Sequence, residues 1–571
     1  MTARHGSGRP WVFSNGIPNV LVAGREDFRV VVANCDLISE DLEIERHLRP
    51  NIDGANVFNA LAELVGSAHV LVSEPGRITS AGDIAGHRRA YFSILNGVPV
   101  VSSSARLLGR LIGATLDQTW LAMRLCSPEP PGFLRASGTP FLGVSTVPPG
   151  TYIETDSCDA TRTVTWWAPP SPHRNLRAGA GYLADSLTAG VQKRASLAQG
   201  RVSVQLSGGL DSGAISLLAG KTSPLLVTSV SCSPINDDLL WARRFAEQVG
   251  DAEHLALSAQ DLPLFFADLD QVAPEAEEPY SFAAALARQR YVAAVLREHR
   301  AALNFNGQGG DEVLLPAANF LRELPLTKAA TWARYRAEAA LRETPVRLLA
   351  QRPRSRGSYA AWRGRLPSRL RSSGAALDTL DGWEAQPAIA PWVSRDSEEL
   401  IVKRLEEQDG APVHHKASVH ATIIRIRASA YRASMYRDAM AALAVPTAMP
   451  FFDHKVVEDC LSVPAEQRAD PWRFKPLLAE AMRPISPPGL FARRTKGHYD
   501  HDIRRGWEVN RKSVRDLVTD PEFLKFGLVD RHVLERSLNS GLSSVPTAFV
   551  TDLVAVARWI RDWGATREIQ S

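Results

Sequence analysis

A glycine turn that carries an acidic residue is the first feature of this chain with recognisable chemistry. Residues 207–212 read Ser-Gly-Gly-Leu-Asp-Ser, between a strand-like run that ends at Leu206 and a helical pattern over 213–219. Glycines let a backbone approach a ligand closely, and successive N–H groups at a helix start bind phosphate. The Asp211 carboxylate would repel a phosphate, so we interpret it as a ligand of phosphate-bound Mg²⁺. An ordinary capped strand-to-helix turn is the alternative interpretation.

A second acidic glycine turn follows another strand-like run. Leu303-Asn-Phe-Asn306 leads into Gly307-Gln-Gly-Gly-Asp-Glu312. In an open parallel sheet both turns lie at the carboxyl ends of strands, where ligands bind. We therefore expect Asp211 and Asp311 to share one cation.

The elements that must position these turns divide the chain in two. Short alternating apolar runs over 18–165 predict a strand-rich domain, and a proline-dense segment over 167–173 marks its end near residue 170. From Val202 the pattern alternates between strand and helix, which favours a parallel sheet with helices on both faces. Beyond about residue 325 the spacing is helical. The sequence predicts an α/β protein with domains at 1–170 and 171–571.

Composition limits the remaining classes of function. The chain has 571 residues, of which 45% are hydrophobic and 22% charged, values of an ordinary globular protein with two domains. Apolar runs are too short to span a membrane, and no secretion signal opens the chain, so the cytoplasm is the expected location. Five scattered cysteines indicate neither a zinc site nor a redox pair. A net charge of +4 is too small to indicate a nucleic-acid partner.

Beyond these separate features, the chain resembles a known family. The SGGLDS turn is the signature of the PP-loop ATP pyrophosphatases, and its pairing with GQGGDE resembles the asparagine synthetase family, which includes β-lactam synthetase and the lasso-peptide cyclases. Asp238 and Glu278 fall where that family has acidic motif residues, and Val445–Asp453 resembles its VEARVPFLD segment. Lys475 lies in a segment that resembles its KxxL helix, and Arg494–Gly497 resembles its RxK motif.

The resemblance implies a fold, cofactors and a set of site residues. Residues 1–170 resemble an Ntn-type glutaminase-like α+β domain, and 171–571 resemble a PP-loop synthetase domain that uses ATP and Mg²⁺. The implied catalytic residues are Lys496, Asp311, Gln308 and Lys475, and the implied metal ligands are Asp211 and Asp311. The candidates for ATP binding are Ser207, Gly208, Gly209, Leu210, Asp211, Ser212, Ser231, Cys232, Gly307 and Arg494. The candidates for substrate binding are Glu278, Tyr499 and Asp500.

Departures from the family pattern narrow the expected reaction. Position 2 is Thr2, where the family's glutaminase has a nucleophilic cysteine, so we expect the scaffold without that chemistry. Gln308 replaces the ionisable Glu or Tyr, and Pro446 and Ala448 replace the Glu and Arg of VEARVPFLD. A neutral amide cannot take a proton from the attacking amine. These departures look most like lasso-peptide cyclases, which adenylate an Asp or Glu side chain of a core peptide that its own N-terminal amine then attacks.

This interpretation implies partners and leaves alternatives open. The partners would be a precursor core peptide, a protein that recognises its leader, and a leader protease. A β-lactam synthetase-like ligase of small molecules is the first alternative, and a non-catalytic nucleotide-binding scaffold or an RNA-modifying PP-loop protein is the second. His498–Asp502 could form a metal cluster, but a loop beside the active site is the favoured interpretation. The arginine-rich stretches 352–355 and 363–371 are expected to form solvated, mobile loops.

Overall fold

The N-terminal part of the computed structural model is strand-rich. The structure describes residues 3–4, 10–13, 20–25, 28–37, 44–46, 48, 54–136, 138–156, 161–324, 331, 333, 357–371, 382–540 and 546–568. Six antiparallel strands form one sheet, in the order Thr161–Thr165, Thr151–Asp156, Arg77–Ala81, His69–Glu74, Phe28–Ala33 and Val20–Arg25. Three more strands form a second sheet, in the order Ser145–Val147, Ala90–Leu95 and Val98–Ser102. Two-residue to three-residue strands pair as Ala3–Arg4 with Pro10–Val12, and as Cys126–Ser127 with Ala388–Ile389.

A five-stranded parallel sheet organises the rest of the chain. Its strands lie in the order Glu253–Leu257, Leu225–Ser229, Arg201–Gln205, Ala301–Phe305 and Thr447–Ala448. The strand that comes first in the chain and the strand that comes fourth are therefore neighbours at its centre. Their connections leave toward opposite edges, and ligands bind in the crevice that forms at such a switch point. The two acidic glycine turns follow these two central strands.

Helices cover the parallel sheet and build the C-terminal part. The α-helices include Gly54–Val65, Ala105–Leu111, Gln118–Met123, Gly132–Arg135, Leu176–Leu197, Leu210–Leu218, Asp238–Ala246, Leu286–Glu298, Gly310–Leu314, Phe320–Glu323, Tyr359–Arg363, Leu366–Arg369, Arg395–Glu407, Ala417–Ala442, His454–Leu461, Ala465–Arg468, Pro476–Met482, Asp500–Val518, Pro521–Leu524, Arg531–Ser540 and Thr547–Glu568. Short 3₁₀ helices occur at Gly220–Thr222, Ala283–Ala285, Pro450–Phe452, Arg483–Ile485 and Leu490–Ala492. Across the ranges described, no helix is both long and apolar enough to cross a bilayer.

The observed elements confirm the predicted class of fold. The chain is mixed α/β, with a strand-rich N-terminal part and a parallel sheet packed between helices. The core of the parallel sheet includes Val204, Ile215 and Phe305, all fully buried. The predicted domain boundary at 170/171 falls between the strand Thr161–Thr165 and the helix Leu176–Leu197.

Two arginine-rich stretches were predicted to form loops, and the prediction is wrong for the one that the structure describes. The arginine-rich stretch 363–371 lies on two short helices, Tyr359–Arg363 and Leu366–Arg369, because Leu366 and Leu370 are buried in the core of the C-terminal part. The other arginine-rich stretch, 352–355, lies outside the described residues.

Candidate active site

The first glycine turn joins a central strand to a helix, as its sequence pattern predicts. The helix Leu210–Leu218 begins three residues earlier than the predicted start at Gly213, because Gly209 already serves as its N-cap. Gly208 has a φ of +78°, and a Cβ there would lie 2.2 Å from the carbonyl oxygen of Asp238. Only glycine fits this crowded left-handed position without strain. The turn therefore holds its shape by contact with the next helix, Asp238–Ala246.

The two serines of this turn stabilise it from within. The backbone N–H of Ser207 donates to Ser212 Oγ at 3.1 Å, and the two hydroxyl oxygens also lie 3.1 Å apart. Ser212 Oγ donates to the carbonyl of Gly209 at 3.1 Å. Leu210 is buried in the sheet core, so it anchors the helix.

The second glycine turn packs directly on the first. A Cβ on Gly307 would lie 2.8 Å from the backbone nitrogen of Ser212, and a Cβ on Gly310 would lie 2.2 Å from Cγ of Asp211. Both values are too short for any side chain, so glycine is what allows the two turns to touch. Gln308 is half-buried, and its backbone N–H donates to the Asn306 side chain at 2.8 Å.

Two lysines lie between and beside the two aspartates. The Lys475 ammonium contacts the carboxylate of Asp211 and lies 2.6 Å from Oδ1 of Asp311. The Lys496 ammonium lies 2.5 Å from Oδ2 of Asp311. The predicted convergence of the two aspartates is therefore present in the structure, and both lysines assigned by resemblance reach the same place.

The two lysines have different surroundings. The side chain of Lys475 is 2% exposed and that of Lys496 is 63% exposed. Lys475 was expected inside a helix, but it is the residue before the helix Pro476–Met482, with a φ of +49°. This uncommon left-handed backbone position is held by the buried ion pairs of its side chain.

Electrostatics couples the four charged groups. Burial would lower the pKa of Lys475, but the carboxylates of Asp211 and Asp311 outweigh it and raise that pKa. Burial would raise the pKa of Asp311, but the ammonium groups of Lys475 and Lys496 outweigh it and lower that pKa. Burial, aided by the charge of Asp311, raises the pKa of Asp211 to about 6 although Lys475 opposes the shift. Of the two carboxylates, Asp211 is therefore the one whose charged form the surroundings stabilise less.

The two carboxylates fit a magnesium ion that also binds phosphate. Oδ1 of Asp211 is buried without a hydrogen-bond partner, so one carboxylate oxygen is left for a further ligand. The residues described contain no group of three or more His, Cys, Asp and Glu side chains able to hold a metal. Mg²⁺ commonly takes one or two carboxylates and completes its shell with phosphate oxygens and water, so two aspartates beside a phosphate turn suit it.

Arg493, which was not predicted as a site residue, ties the first turn to the lysine segment. Its side chain donates to the carbonyl of Gly208 at 2.7 Å, to Asp237 at 2.5 Å and to Asp238 at 2.6 Å. It is 3% exposed. Arg494, the predicted ATP-binding residue, is exposed, and its guanidinium lies 5.9 Å from the ring of Trp472. A pair of adjacent arginines gives no sequence signal for which of the two faces inward.

Two further residues predicted to bind ATP, Ser231 and Cys232, contact the start of the helix Asp500–Val518. The hydroxyl of Ser231 donates to the carboxylate of Asp502, and the backbone N–H of Cys232 donates to the same carboxylate at 3.3 Å. Cys232 Sγ lies 3.2 Å from Nδ1 of His501. The segment 498–502 was expected to be a loop, but its last three residues form the first turn of this helix.

The three predicted substrate-binding residues lie in different places. Tyr499 precedes the helix Asp500–Val518, and burial raises its pKa to about 12. Asp500 is exposed in the first turn of that helix. Glu278 is 1% exposed and forms an ion pair with Arg89 of the N-terminal part. The structure thus brings Glu278 to the contact between domains and shows no contact of it with the glycine turns.

A small polar network behind the turns was also missed from the sequence. Gln205 Nε2 donates to the Tyr436 hydroxyl at 2.7 Å, and Asn306 Nδ2 donates to Gln205 Oε1 at 2.8 Å. Gln205 and Asn306 each stand just before one of the two turns, so the network links their starting points to the helix Ala417–Ala442. The polar residues Gln205 and Asn306, one at the end of each central strand, are the sequence feature from which this network could have been predicted.

Comparison with known proteins gives a family match over the part of the chain that contains both glycine turns. Residues 182–561 match the model of the asparagine synthase family. No curated protein matches the chain. Among solved structures, a glutamine phosphoribosylpyrophosphate amidotransferase from B. subtilis, complexed with ADP and GMP, is 12% identical with a TM-score of 0.19. The match covers 53% of this chain and 65% of that one.

A second solved structure, described as the allosteric regulatory enzyme of purine biosynthesis, is 13% identical with a TM-score of 0.20. That match covers 53% of this chain and 64% of the other. At such TM-scores neither likeness carries an argument about this chain. The family match, in contrast, spans well over half of the sequence and includes both glycine turns and both lysines, so the chain belongs to the asparagine synthase family.

Proposed function

We propose that the chain is an ATP- and Mg²⁺-dependent ligase that closes a macrolactam in a ribosomal peptide, as in lasso-peptide biosynthesis. The observation that carries the ligase part is the contact of Asp211 and Asp311 with Lys475 at the meeting point of two glycine turns. Family membership supports an ATP-dependent amide ligase, and the family typically uses ATP with Mg²⁺.

The residues of the site have separate tasks in this proposal. The N–H groups at the start of the helix Leu210–Leu218 bind phosphate, and Asp211 and Asp311 hold the Mg²⁺ that neutralises it. The exposed Lys496, whose ammonium reaches Asp311, stabilises negative charge that develops on the reacting groups. Lys475 keeps the two carboxylates together.

The proposed reaction has two bond exchanges. An oxygen of an Asp or Glu side chain in the peptide attacks the α-phosphorus of ATP, and the bond to pyrophosphate breaks. The N-terminal amine of the peptide then attacks the activated acyl carbon, the bond to AMP breaks, and the amine proton passes to the departing phosphate of AMP. Gln308 lies within the second turn, and its neutral amide cannot accept that proton, so we assign the amide to orienting a substrate group.

Residues beside the second turn favour a peptide over a small amine substrate. The carbonyl of Pro446 accepts from the backbone N–H of Asn304 at 2.9 Å, and that of Ala448 accepts from Asn306 at 3.0 Å. Pro446 and Ala448 therefore flank the strand that leads into the second turn. They replace a Glu and an Arg of the family pattern, so neither position supplies an ionisable side chain to take a proton from a small amine. A prefolded peptide supplies its own amine close to the acyl group, which lowers the entropy cost of ring closure.

Incubation with ATP, Mg²⁺ and a leader-trimmed core peptide tests the proposal. The peptide should come from a small precursor encoded beside the gene of this chain. We expect release of AMP and pyrophosphate, and loss of one water from the peptide by mass spectrometry. Pyrophosphate release with a small amino acid but not with the peptide would instead indicate a small-molecule ligase.

Variants of the acidic residues separate catalysis from mere nucleotide binding. Asp211→Asn and Asp311→Asn should each lower pyrophosphate release about 100-fold or more, because each removes a charge that holds the metal at the phosphate. Asp261→Asn, at an exposed position outside the site, is the matched control and should keep its rate. Unchanged product formation in the Asp211 variant would point to a non-catalytic scaffold.

A further inference from the structure

A cavity lies between the N-terminal part and the long helix Ala417–Ala442, away from the two glycine turns. Arginines from both sides line it: Arg89 and Arg135 from the N-terminal part, and Arg427 from the helix. Phe133, Ile424 and Tyr431 form much of the remaining wall. None of these residues takes part in the proposed ligase site.

Arg427 is a guanidinium without a carboxylate partner in the described part of the chain. Its hydrogen bonds go to the carbonyl oxygens of Pro149 at 2.7 Å and Ile84 at 3.4 Å. Burial lowers its pKa to about 10. Buried charges are normally paired, because an unpaired one forfeits its hydration. These carbonyls take only two of the five N–H donors of Arg427, so donors are left for a ligand, and the charge of Asp83 acts on the guanidinium without an ion pair between the two.

The other arginines of the cavity are only partly neutralised. Arg89 pairs with Glu278, but Arg135 shares the single carboxylate of Glu129 with Arg432. Three guanidinium groups, those of Arg89, Arg135 and Arg432, therefore contact two carboxylates. Arg427 adds a fourth guanidinium group. Nearby, Arg124 favours the charged form of Asp552, whose pKa burial raises to about 7. Glu384 also accepts from the backbone N–H of Gly132 at 2.6 Å and lies 3.0 Å from Nε2 of His420, so the wall of the cavity brings arginines and carboxylates close together.

Tyr431 supplies a polar group without a partner. It is 5% exposed, and its hydroxyl is buried without a hydrogen-bond partner. The guanidiniums of Arg89 and Arg135 lie 4.6 Å and 5.7 Å from the centre of its ring. Most buried hydroxyl groups in proteins are hydrogen-bonded, so this phenol indicates an acceptor that binds beside it.

From these observations we infer that the cavity binds a small organic carboxylate. Its carboxylate accepts from Arg427 and the Tyr431 hydroxyl, and its apolar body packs against Phe133 and Ile424. A carboxylate matches the planar geometry of a guanidinium, and the apolar walls favour an organic ligand over an inorganic anion. The site is independent of the proposed ligase reaction.

Titration calorimetry of the intact chain with benzoate tests this inference. Benzamide has the same shape without the charge, and inorganic phosphate has charge without the apolar body. We expect benzoate to bind and both other probes to bind at least about tenfold more weakly. Binding of phosphate as tight as that of benzoate would overturn the assignment of an organic ligand, and equal binding of benzamide would overturn the role of charge.

Two variants place the bound probe. Tyr431→Phe removes a hydroxyl that has no partner in the protein, so the fold should persist while benzoate binds about tenfold more weakly. Tyr182→Phe, on an exposed tyrosine outside the cavity, is the control and should bind as the unmodified chain does. Benzoate binding that Tyr431→Phe leaves unchanged and Lys496→Ala abolishes would place the probe at the ligase site and overturn the inference.

Discussion

At the scale of single residues, the same chemical group has different consequences at different depths. Lys475 and Lys496 both contact Asp311, yet one side chain is 2% exposed and the other 63% exposed. The resemblance assigned a catalytic role to both. Their burial instead separates a lysine that holds two carboxylates together from one that is accessible to a substrate.

Alanine variants of the two lysines should therefore differ in stability. Lys475→Ala leaves two neighbouring carboxylates without their buried cation and should lower the free energy of unfolding by about 3–5 kcal/mol. Lys496→Ala removes an exposed ion pair and should lower it by less than about 1 kcal/mol. Urea denaturation measures both. Lys496→Ala should still reduce pyrophosphate release about 100-fold, with a smaller effect on ATP binding. Equal loss of stability in the two variants would contradict this division.

Asp552 gives the protein a stability that depends on pH. Burial raises its pKa to about 7, although Arg124, Arg432 and a hydrogen bond from Ser127 favour its charged form. The folded chain then binds a proton that the unfolded chain releases near its ordinary pKa of 3.8, so this group's contribution weakens as pH rises from about 4 through about 7. Nearby Cys126, whose pKa burial raises to about 12, stays neutral throughout.

The measurement compares free energies of unfolding at about pH 5 and about pH 8. Asp552→Asn stays neutral at both values and is nearly the same shape. We expect this variant to gain stability relative to the unmodified chain at the higher pH, with a smaller difference at the lower one. A difference that does not change with pH would show that Asp552 ionises normally.

At the scale of elements, the active site is a contact between two turns. Each turn is local: a strand, glycines, an aspartate and a helix start, all within a few residues, so their sequence patterns predict them. The order of the strands then brings the turns together at the centre of the sheet. Their closeness requires Gly310, because a Cβ there would lie 2.2 Å from Cγ of Asp211.

Gly310→Ala should therefore disturb the Asp211 carboxylate. Gly310 does not have a left-handed backbone conformation, so the backbone itself tolerates alanine. The added methyl group must displace the Asp211 carboxylate, and overpacking of this kind costs about 1–3 kcal/mol, so pyrophosphate release should fall at least about tenfold. Gly181→Ala is the control, because its Cβ would meet nothing within 4 Å on the helix Leu176–Leu197. That variant should keep its rate and gain about 0.5–1 kcal/mol of stability. A Gly310→Ala variant with a normal rate would show that the turns need not touch.

At the scale of the whole molecule, the N-terminal part packs against the segment that supports the second turn. The ring of His87 stacks on Phe452 with 5.4 Å between centroids. Phe452 in turn lies against Gly309, where a Cβ would be 2.6 Å from its ring. Arg194 also pairs with Asp36 and Asp453, which joins the two parts beside this stack. The N-terminal part thus reaches the site through packing.

Variants at His87 test whether this packing positions the second turn. His87→Ala removes the ring behind Phe452, and the loosened turn should lower pyrophosphate release about tenfold or more. His87→Phe keeps a ring for stacking and loses the contact with Ser67, so it should retain most of the rate. A large loss in the Phe variant, or none in the Ala variant, would contradict a positioning role of the stack.

The sequence by itself determined the features that depend on neighbours along the chain. Both glycine turns, their strands and the mixed α/β class follow from local spacing and glycine chemistry. Only the tertiary structure decided the difference in burial between Lys475 and Lys496, the choice of Arg493 over Arg494, and the pairing of Glu278 with Arg89. These depend on contacts between residues far apart in the chain, because burial and ion pairing follow from packing in space, which no short pattern encodes.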